Sequence, residues 1–109
     1  MTIQMLQKRM KEEMSKTKID YTIDSKEDQE ILARTVKLNE EVGELCNDIL
    51  SVLKLQRKSK LDRFDKRNFY EEFADVIITA MQLATVAGVD INRAIRDKMK
   101  KISERYEKE

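Results

Sequence analysis

Two carboxylate pairs, each spaced three residues apart, are the side chains of this sequence best placed to do chemistry. Glu41 and Glu44 form the first pair, and Glu72 and Asp75 form the second. Residues three positions apart on a helix are surface neighbours, so each pair presents two carboxylates to one place. If the two helices pack antiparallel, four carboxylates can converge on a divalent cation. Mg²⁺ fits such a site because it prefers hard oxygen ligands and binds beside substrate phosphates.

Both pairs border an apolar stripe on their helix. A partly buried carboxylate without a partner is costly, and coordination of a cation would offset that cost. The competing interpretation is a solvated surface, in which Lys37 neutralises Glu41 as an ordinary i,i+4 ion pair. Two such pairs together, in a chain with few other catalytic side chains, strengthen the metal interpretation, and both interpretations stay open on spacing alone.

Composition narrows the classes of protein that fit. The chain has 109 residues, which suits one domain over residues 1–109, and 39% of them are charged, with a net charge of only +1. This balance argues against binding nucleic acid or a membrane through bulk charge. No apolar run is long enough to span a bilayer and no signal peptide is recognisable. Cys46 is the only cysteine, which suits a reducing compartment, so we expect a cytoplasmic protein.

The absence of histidine is equally informative. It excludes histidine-based acid–base catalysis and the Glu-x-x-His motif of di-iron bundles. With no histidine and one cysteine, the chain also lacks the usual ligands of zinc. Any catalysis would have to come from carboxylates and an oxygen-preferring cation, Mg²⁺ or in its place Mn²⁺.

We predict an all-α fold, because the chain has no proline, only two glycines, and apolar residues at helical spacing. Asp24 or Ser25 caps the second helix, and Asp65 and Asp90 cap the third and fourth. Gly88 sits where a glycine often ends a helix. The four predicted helices cover residues 2–16, 26–56, 66–87 and 91–106.

A four-helix bundle is the simplest architecture, and we expect homo-oligomerisation to complete it. Gly43 lies inside a helix, where glycine costs about 1 kcal/mol relative to alanine, and close approach of another helix would explain it. Ile78 and Met81 make the third helix apolar on nearly all sides, which suits burial in an assembly. The basic stretch 57–67 is interpreted as a solvated connection.

The acidic runs resemble a known signature. Glu-Glu-Val-Gly-Glu-Leu at 40–45 and Glu-Glu-Phe-Ala-Asp-Val at 71–76 are similar to the double motif of MazG-like all-α nucleoside triphosphate pyrophosphohydrolases. The resemblance extends over residues 30–106. It implies cleavage between the α- and β-phosphates, and homodimers or dimers of dimers with sites built between subunits. The Mg²⁺ ligands that it implies are Glu41, Glu44, Glu72 and Asp75.

One position departs from that pattern. Many relatives carry asparagine four residues after the lysine that corresponds to Lys98, where this chain has Ile102. The departure leaves the metal motif unchanged, but it leaves the preferred nucleotide open.

Basic side chains are needed to hold the phosphates of such a substrate. Lys98 and Arg105 lie seven residues apart, on one edge of the last helix's apolar stripe, which favours a role inside the site. The alternative is that their stems cover apolar surface. Lys37 is a third candidate phosphate ligand, and Lys54 and Lys60 are less constrained ones.

Catalytic and base-binding residues are less well specified. Either Glu41 or Glu44 could accept the proton of an attacking water, and the sequence does not choose between them. Tyr21 and Phe64 could stack on a nucleotide base or simply pack. The methionine-rich first helix is adaptable and would suit a pocket cover or a dimer seam.

The leading function is a Mg²⁺-dependent pyrophosphohydrolase that removes unwanted (deoxy)nucleoside triphosphates, working as a homodimer or homotetramer without nucleic acid or membrane. One alternative is the related phosphoribosyl-ATP pyrophosphohydrolase. The other is a non-enzymatic helical interaction module, whose carboxylates would bind no metal.

Overall fold

The computed structural model describes residues 1–17, 19 and 22–108, and every regular element in that part of the chain is a helix. The all-α class is therefore confirmed. Tyr21, a candidate for base stacking, lies outside the described residues. The helices are α1 (Ile3–Ser15), α2 (Lys26–Val52), α3 (Lys58–Asp62), α4 (Lys66–Val86) and α5 (Ile91–Glu107).

Capping side chains set where the long helices begin. Ser25, and not Asp24, caps α2, and its hydroxyl accepts a hydrogen bond from the Asp28 backbone N–H at 3.0 Å. Asp65 and Asp90 cap α4 and α5 as predicted. Each cap satisfies a backbone donor that the first helical turn leaves free. The starts of these helices follow from local sequence for that reason.

Both helices that carry the acidic pairs end in the same hydrogen-bonding motif. At the end of α4, Gly88 has a left-handed backbone with φ 74°, as expected of a glycine at this position. At the end of α2 the equivalent position is Lys54, with φ 59°. The Leu55 N–H donates to the Leu50 carbonyl at 2.8 Å and closes the turn. The predicted continuation of α2 to residue 56 is wrong, because this turn ends the helix at Val52.

The stretch 57–67 is not a simple solvated connection, since it contains the short helix α3. Phe64, which follows α3, is half-buried and lies with its ring centroid 6.2 Å from that of Phe69. Phe69 in turn makes an edge-on contact with Phe73, at 5.3 Å. This row of rings holds the connection against α4. Phe64 therefore packs within the chain.

Helix packing in the described part of the chain is concentrated between α2 and α4, with a much smaller contact between α4 and α5. Arg34 near the start of α2 donates a hydrogen bond to Gln82 near the end of α4, at 3.1 Å. Glu41, further along α2, lies beside Glu72 and Asp75, nearer the start of α4. The two helices are therefore antiparallel, as the acidic motif requires.

No apolar side chain among the described residues is fully buried. The apolar face of α4 remains open, with Ile77 59% and Ile78 50% exposed. The radius of gyration is 20.5 Å, whereas a compact chain of this length has about 13 Å. A four-helix bundle within one chain is thus not confirmed. The single chain provides an antiparallel helix pair and leaves much apolar surface without a partner.

No single helix among the described residues is both long and apolar enough to cross a membrane. Only α4 and α5 counted together, across a change in direction of 110°, reach that length and composition.

Candidate metal centre

Three of the four predicted ligands come together between α2 and α4. Glu41 from α2 and Glu72 and Asp75 from α4 each contribute one carboxylate oxygen, and these oxygens all lie within 4.8 Å of one another. The spacing along α4 places Glu72 and Asp75 one turn apart on the same face. The antiparallel packing brings Glu41 opposite them. We call these three residues the carboxylate triad.

The two most buried members of the triad have unsatisfied oxygens. Glu41 and Glu72 are each 8% exposed, and Glu41 Oε2 and Glu72 Oε1 have no hydrogen-bond donor among the described residues. A buried, unpaired carboxylate oxygen is costly. Two arrangements would remove that cost: a proton shared between the two carboxyls, or a cation held by both.

The pKa values of Glu41 and Glu72 shift in opposite directions, as expected when the two carboxyls share one proton. Burial, together with the hydrogen bond to Glu41 and the charges of neighbouring carboxylates, raises the pKa of Glu72 to about 8. The hydrogen bond from Glu72 lowers the pKa of Glu41, against the effect of burial and with help from Lys37. In the absence of a cation, Glu72 thus carries the proton at neutral pH and Glu41 the negative charge.

Lys37 is an exposed residue that forms ion pairs beside the carboxylate triad. Its Nζ lies 3.3 Å from Glu41 Oε1 and 3.4 Å from Glu40 Oε1, and the hydrogen bond with Glu41 is the main cause that raises the pKa of Lys37. The ordinary i,i+4 ion pair considered for this lysine is therefore present. Its predicted contact with substrate phosphate stays a prediction.

Glu44, the fourth predicted ligand, lies beside the triad and not within the group of mutually close oxygens. It lines a cleft of about 400 Å³ next to Glu72 and Asp75. Burial raises the pKa of Glu44, and so do the charges of Glu41 and Glu40. A carboxylate with a raised pKa that faces open space is suited to accept a proton from water.

The cleft has an acidic wall and a basic edge. Its acidic wall includes Asp48 from α2, which is half-buried and whose pKa is raised by burial, and Glu71 from α4. Lys60 of α3 and Arg63 just after it line the same cleft. Sequence reasoning treated Lys60 as a weak candidate and missed Arg63. The aromatic row indicates that the basic connection packs on α4, but no local pattern in the sequence places these two cations beside the carboxylates.

Lys98 and Arg105 are exposed on α5 and are not among the residues that line this cleft. Within one chain, α5 contacts α4 only to a small extent and turns away by 110°. The expectation that these two side chains meet the carboxylates is thus not realised inside a single chain. Ile102, the position that departs from the family pattern, is half-buried on the same helix.

The donor set fits a hard divalent cation. All the oxygens on offer are carboxylate oxygens, which suit Mg²⁺ and Mn²⁺. The chain has no histidine that would favour a softer metal. The two unsatisfied oxygens of Glu41 and Glu72 are the observation that supports the fit, because a cation between them would satisfy both.

Comparison with known proteins agrees with this geometry. The family described as the MazG nucleotide pyrophosphohydrolase domain matches residues 29–109, so the chain belongs to that family. The match contains both acidic motifs, the basic connection and α5, and begins after α1. No curated protein and no solved structure shows significant similarity to the chain. The family is one of hydrolases that act on nucleotides and are typically metal-dependent.

Proposed function

We propose that this protein is a Mg²⁺-dependent pyrophosphohydrolase that cleaves (deoxy)nucleoside triphosphates to a monophosphate and pyrophosphate. Membership in the family supports the reaction class. The single observation that carries the metal dependence is the pair of buried, unsatisfied oxygens on Glu41 and Glu72, beside Asp75. The cellular role that follows is removal of unwanted nucleotides, in the cytoplasm, by a single domain spanning the chain.

The reaction is a hydrolysis at the α-phosphorus. The oxygen of a water molecule forms a new bond to that phosphorus, and the bond from the phosphorus to the α–β bridging oxygen breaks. Pyrophosphate leaves with the bonding electrons, and a carboxylate accepts the proton that the water loses. The chemistry supplied by a bound divalent cation is neutralisation of the charge that develops on the phosphate oxygens.

Glu44 is the better placed of the two candidate bases. Glu41 Oε1 lies beside Lys37, and a cation held by the triad would occupy the other oxygen of Glu41. Glu44 lines the open cleft and lies outside the triad. A side chain that faces the substrate space can reach a water there, and Glu44 is in that position.

We also propose that the active form is a homodimer or homotetramer. The open apolar face of α4 supports this, with Phe73, Ile77, Ile78 and Met81 each close to half-exposed or more. A chain without a buried apolar core gains little free energy on folding alone. A second copy packed on this face would supply the missing burial. The same assembly would provide a route by which Lys98 and Arg105 reach a partner's cleft.

A substrate panel tests the proposal. Purified protein is incubated with Mg²⁺ and each of the ribo- and deoxyribonucleoside triphosphates and phosphoribosyl-ATP, and the products are separated by chromatography. Monophosphate plus pyrophosphate, with ¹⁸O from labelled water in the monophosphate, is the expected result. Diphosphate plus inorganic phosphate would contradict the cleavage position. Turnover of phosphoribosyl-ATP alone would identify the related enzyme, and no turnover with no cation binding would identify an interaction module.

A further inference from the structure

The cleft beside the triad holds opposite charges that do not pair with each other. Lys60 and Arg63 are the cations among its lining residues, and they share the cleft with Glu71 and Asp75. Neither cation forms an ion pair or a side-chain hydrogen bond within residues 1–17, 19 and 22–108. Oppositely charged groups that line one cleft without touching leave room for a ligand that contacts both.

The unsatisfied oxygen of Glu72 is the second observation that points to a ligand here. Glu72 lines the same cleft, and its Oε1 is buried without a donor. A ligand that includes a cation would meet this oxygen, whereas an anionic ligand alone would be repelled by the acidic wall. The complementary ligand therefore carries a divalent cation on one side and negative charge on the other. A metal-bound polyphosphate has that charge distribution.

We infer that Lys60 and Arg63 bind the β- and γ-phosphates of the substrate, in the cleft that Glu72 and Asp75 of the carboxylate triad also line. The inference rests on the proposed function, since it assigns residues to the phosphate end of that substrate. A guanidinium such as that of Arg63 can donate two parallel hydrogen bonds to a phosphate, and an ammonium such as that of Lys60 adds a mobile point charge. The cleft volume of about 400 Å³ is within the usual size of small-molecule sites.

The connection that carries these cations is held on both sides. The ring of Phe64, next to Arg63, packs on Phe69 of α4. Gln56, before α3, donates a hydrogen bond to the Asn47 side chain of α2 at 3.1 Å. The connection therefore spans from one acidic helix to the other. This placement distinguishes Lys60 and Arg63 from basic residues that merely face solvent.

The same short segment provides a matched control. Arg57 and Lys58 are also exposed and basic, but neither lines the cleft. Replacing Lys60 and Arg63 by glutamine removes two charges from the cleft, and replacing Arg57 and Lys58 by glutamine removes two charges from the segment only. Both double variants change the net charge equally, so a difference between them reports position and not bulk charge.

The experiment is a calorimetric titration of each double variant with tripolyphosphate and with an α,β-methylene deoxynucleoside triphosphate, in excess Mg²⁺. We expect the dissociation constant to rise about tenfold or more for Lys60→Gln with Arg63→Gln, which corresponds to about 1.4 kcal/mol. The control with Arg57→Gln and Lys58→Gln should change it less than about threefold. Mn²⁺ affinity without phosphate should be retained in both, because the triad is untouched. Equal tripolyphosphate affinity in the two variants overturns the inference.

The outcomes also separate this inference from the proposed function. If the unmodified protein hydrolyses triphosphates while the cleft variant binds tripolyphosphate like its control, the function stands and the inference fails. If the unmodified protein releases no pyrophosphate from any triphosphate but binds tripolyphosphate through these two residues, the inference stands and the proposed function fails.

Discussion

Glu41 on α2 and Glu72 on α4 face each other with one buried oxygen apiece that no donor in the described residues satisfies. Either a proton or a metal ion bound between the two carboxylates would satisfy these oxygens. If the proposed cation binds there, it would compete with the proton for the same site. That competition gives predictions that do not depend on knowing the substrate.

We predict that binding of Mn²⁺ at pH 7 releases close to one proton per site. The pKa of Glu72 is raised to about 8, so most chains hold this proton before the cation binds. Titration calorimetry in two buffers of different ionisation enthalpy measures the number released. Glu72→Gln should abolish both the release and tight binding. A binding enthalpy that is the same in both buffers would contradict a shared proton.

The free energy of unfolding of the metal-free protein should fall as pH rises from about 5 to 8. The folded-state pKa of Glu72 lies above its ordinary value of 4.5, so its stabilising proton is fully bound below that value and lost as pH rises through about 8. The lowered pKa of Glu41 has the opposite sign, but it acts only below 4.5. Urea melts across this range measure the slope, and Glu72→Gln should reduce it, leaving the part that comes from the raised pKa values of Glu44 and Asp48.

Glu41→Gln and Asp75→Asn should each remove cation-dependent turnover while helix content, measured by circular dichroism, stays unchanged. Without metal, Asp75→Asn should melt at a higher temperature, because it removes a negative charge beside Glu72. Glu41→Gln should give no such gain, because it also removes the ion pair with Lys37. Glu40→Gln is the matched control, since Glu40 is an exposed neighbour outside the triad. Full activity in both triad variants would remove the site assignment.

Gly43→Ala tests the proposed assembly. A methyl group at this position would meet nothing within 4 Å in the single chain, and alanine favours a helix by about 1 kcal/mol over glycine. Nothing among the residues that the structure describes therefore explains the glycine, and we expect a second copy to approach it. Sedimentation velocity should show weaker self-association for the variant. A higher melting temperature with unchanged assembly would place Gly43 outside the seam.

Lys54→Gly should stabilise the protein by up to about 1 kcal/mol. Lys54 has a left-handed backbone at the end of α2, which costs a residue with a side chain about 1–2 kcal/mol, and glycine offsets part of this gain through greater freedom in the unfolded chain. Thermal melts compare it with Lys54→Ala, which should give no such gain. Destabilisation by Lys54→Gly would show that the lysine side chain has a role of its own.

Local signals made much of the fold predictable. The starts of α4 and α5 follow from Asp65 and Asp90, because a cap depends on its own turn. The end of α2 was missed because a lysine, and not a glycine, takes the left-handed position there. Helix α3 was missed because a tertiary contact, Phe64 on Phe69, holds the segment in place.

The site residues, like the helices, include some that local spacing predicts and others that depend on tertiary packing. Helical spacing predicted that Glu72 and Asp75 share a face, and antiparallel packing brought Glu41 to them. The positions of Lys60 and Arg63 depend on how the connection folds back, which no local pattern in the sequence specifies. Within the described residues α5 makes only a small contact with α4, and so the roles of its basic residues stay predictions.

The open apolar face of α4 has a consequence for how activity depends on the amount of protein in the cell. One chain buries no apolar side chain in its described part. If the proposed assembly forms, folding and association would be a single equilibrium, and the folded fraction would depend on total concentration. Dilution should then lower activity per molecule as well as per volume. A cell that doubles synthesis of this protein would more than double its working enzyme, and a cell that makes very little would hold mainly unfolded chains, open to proteolysis.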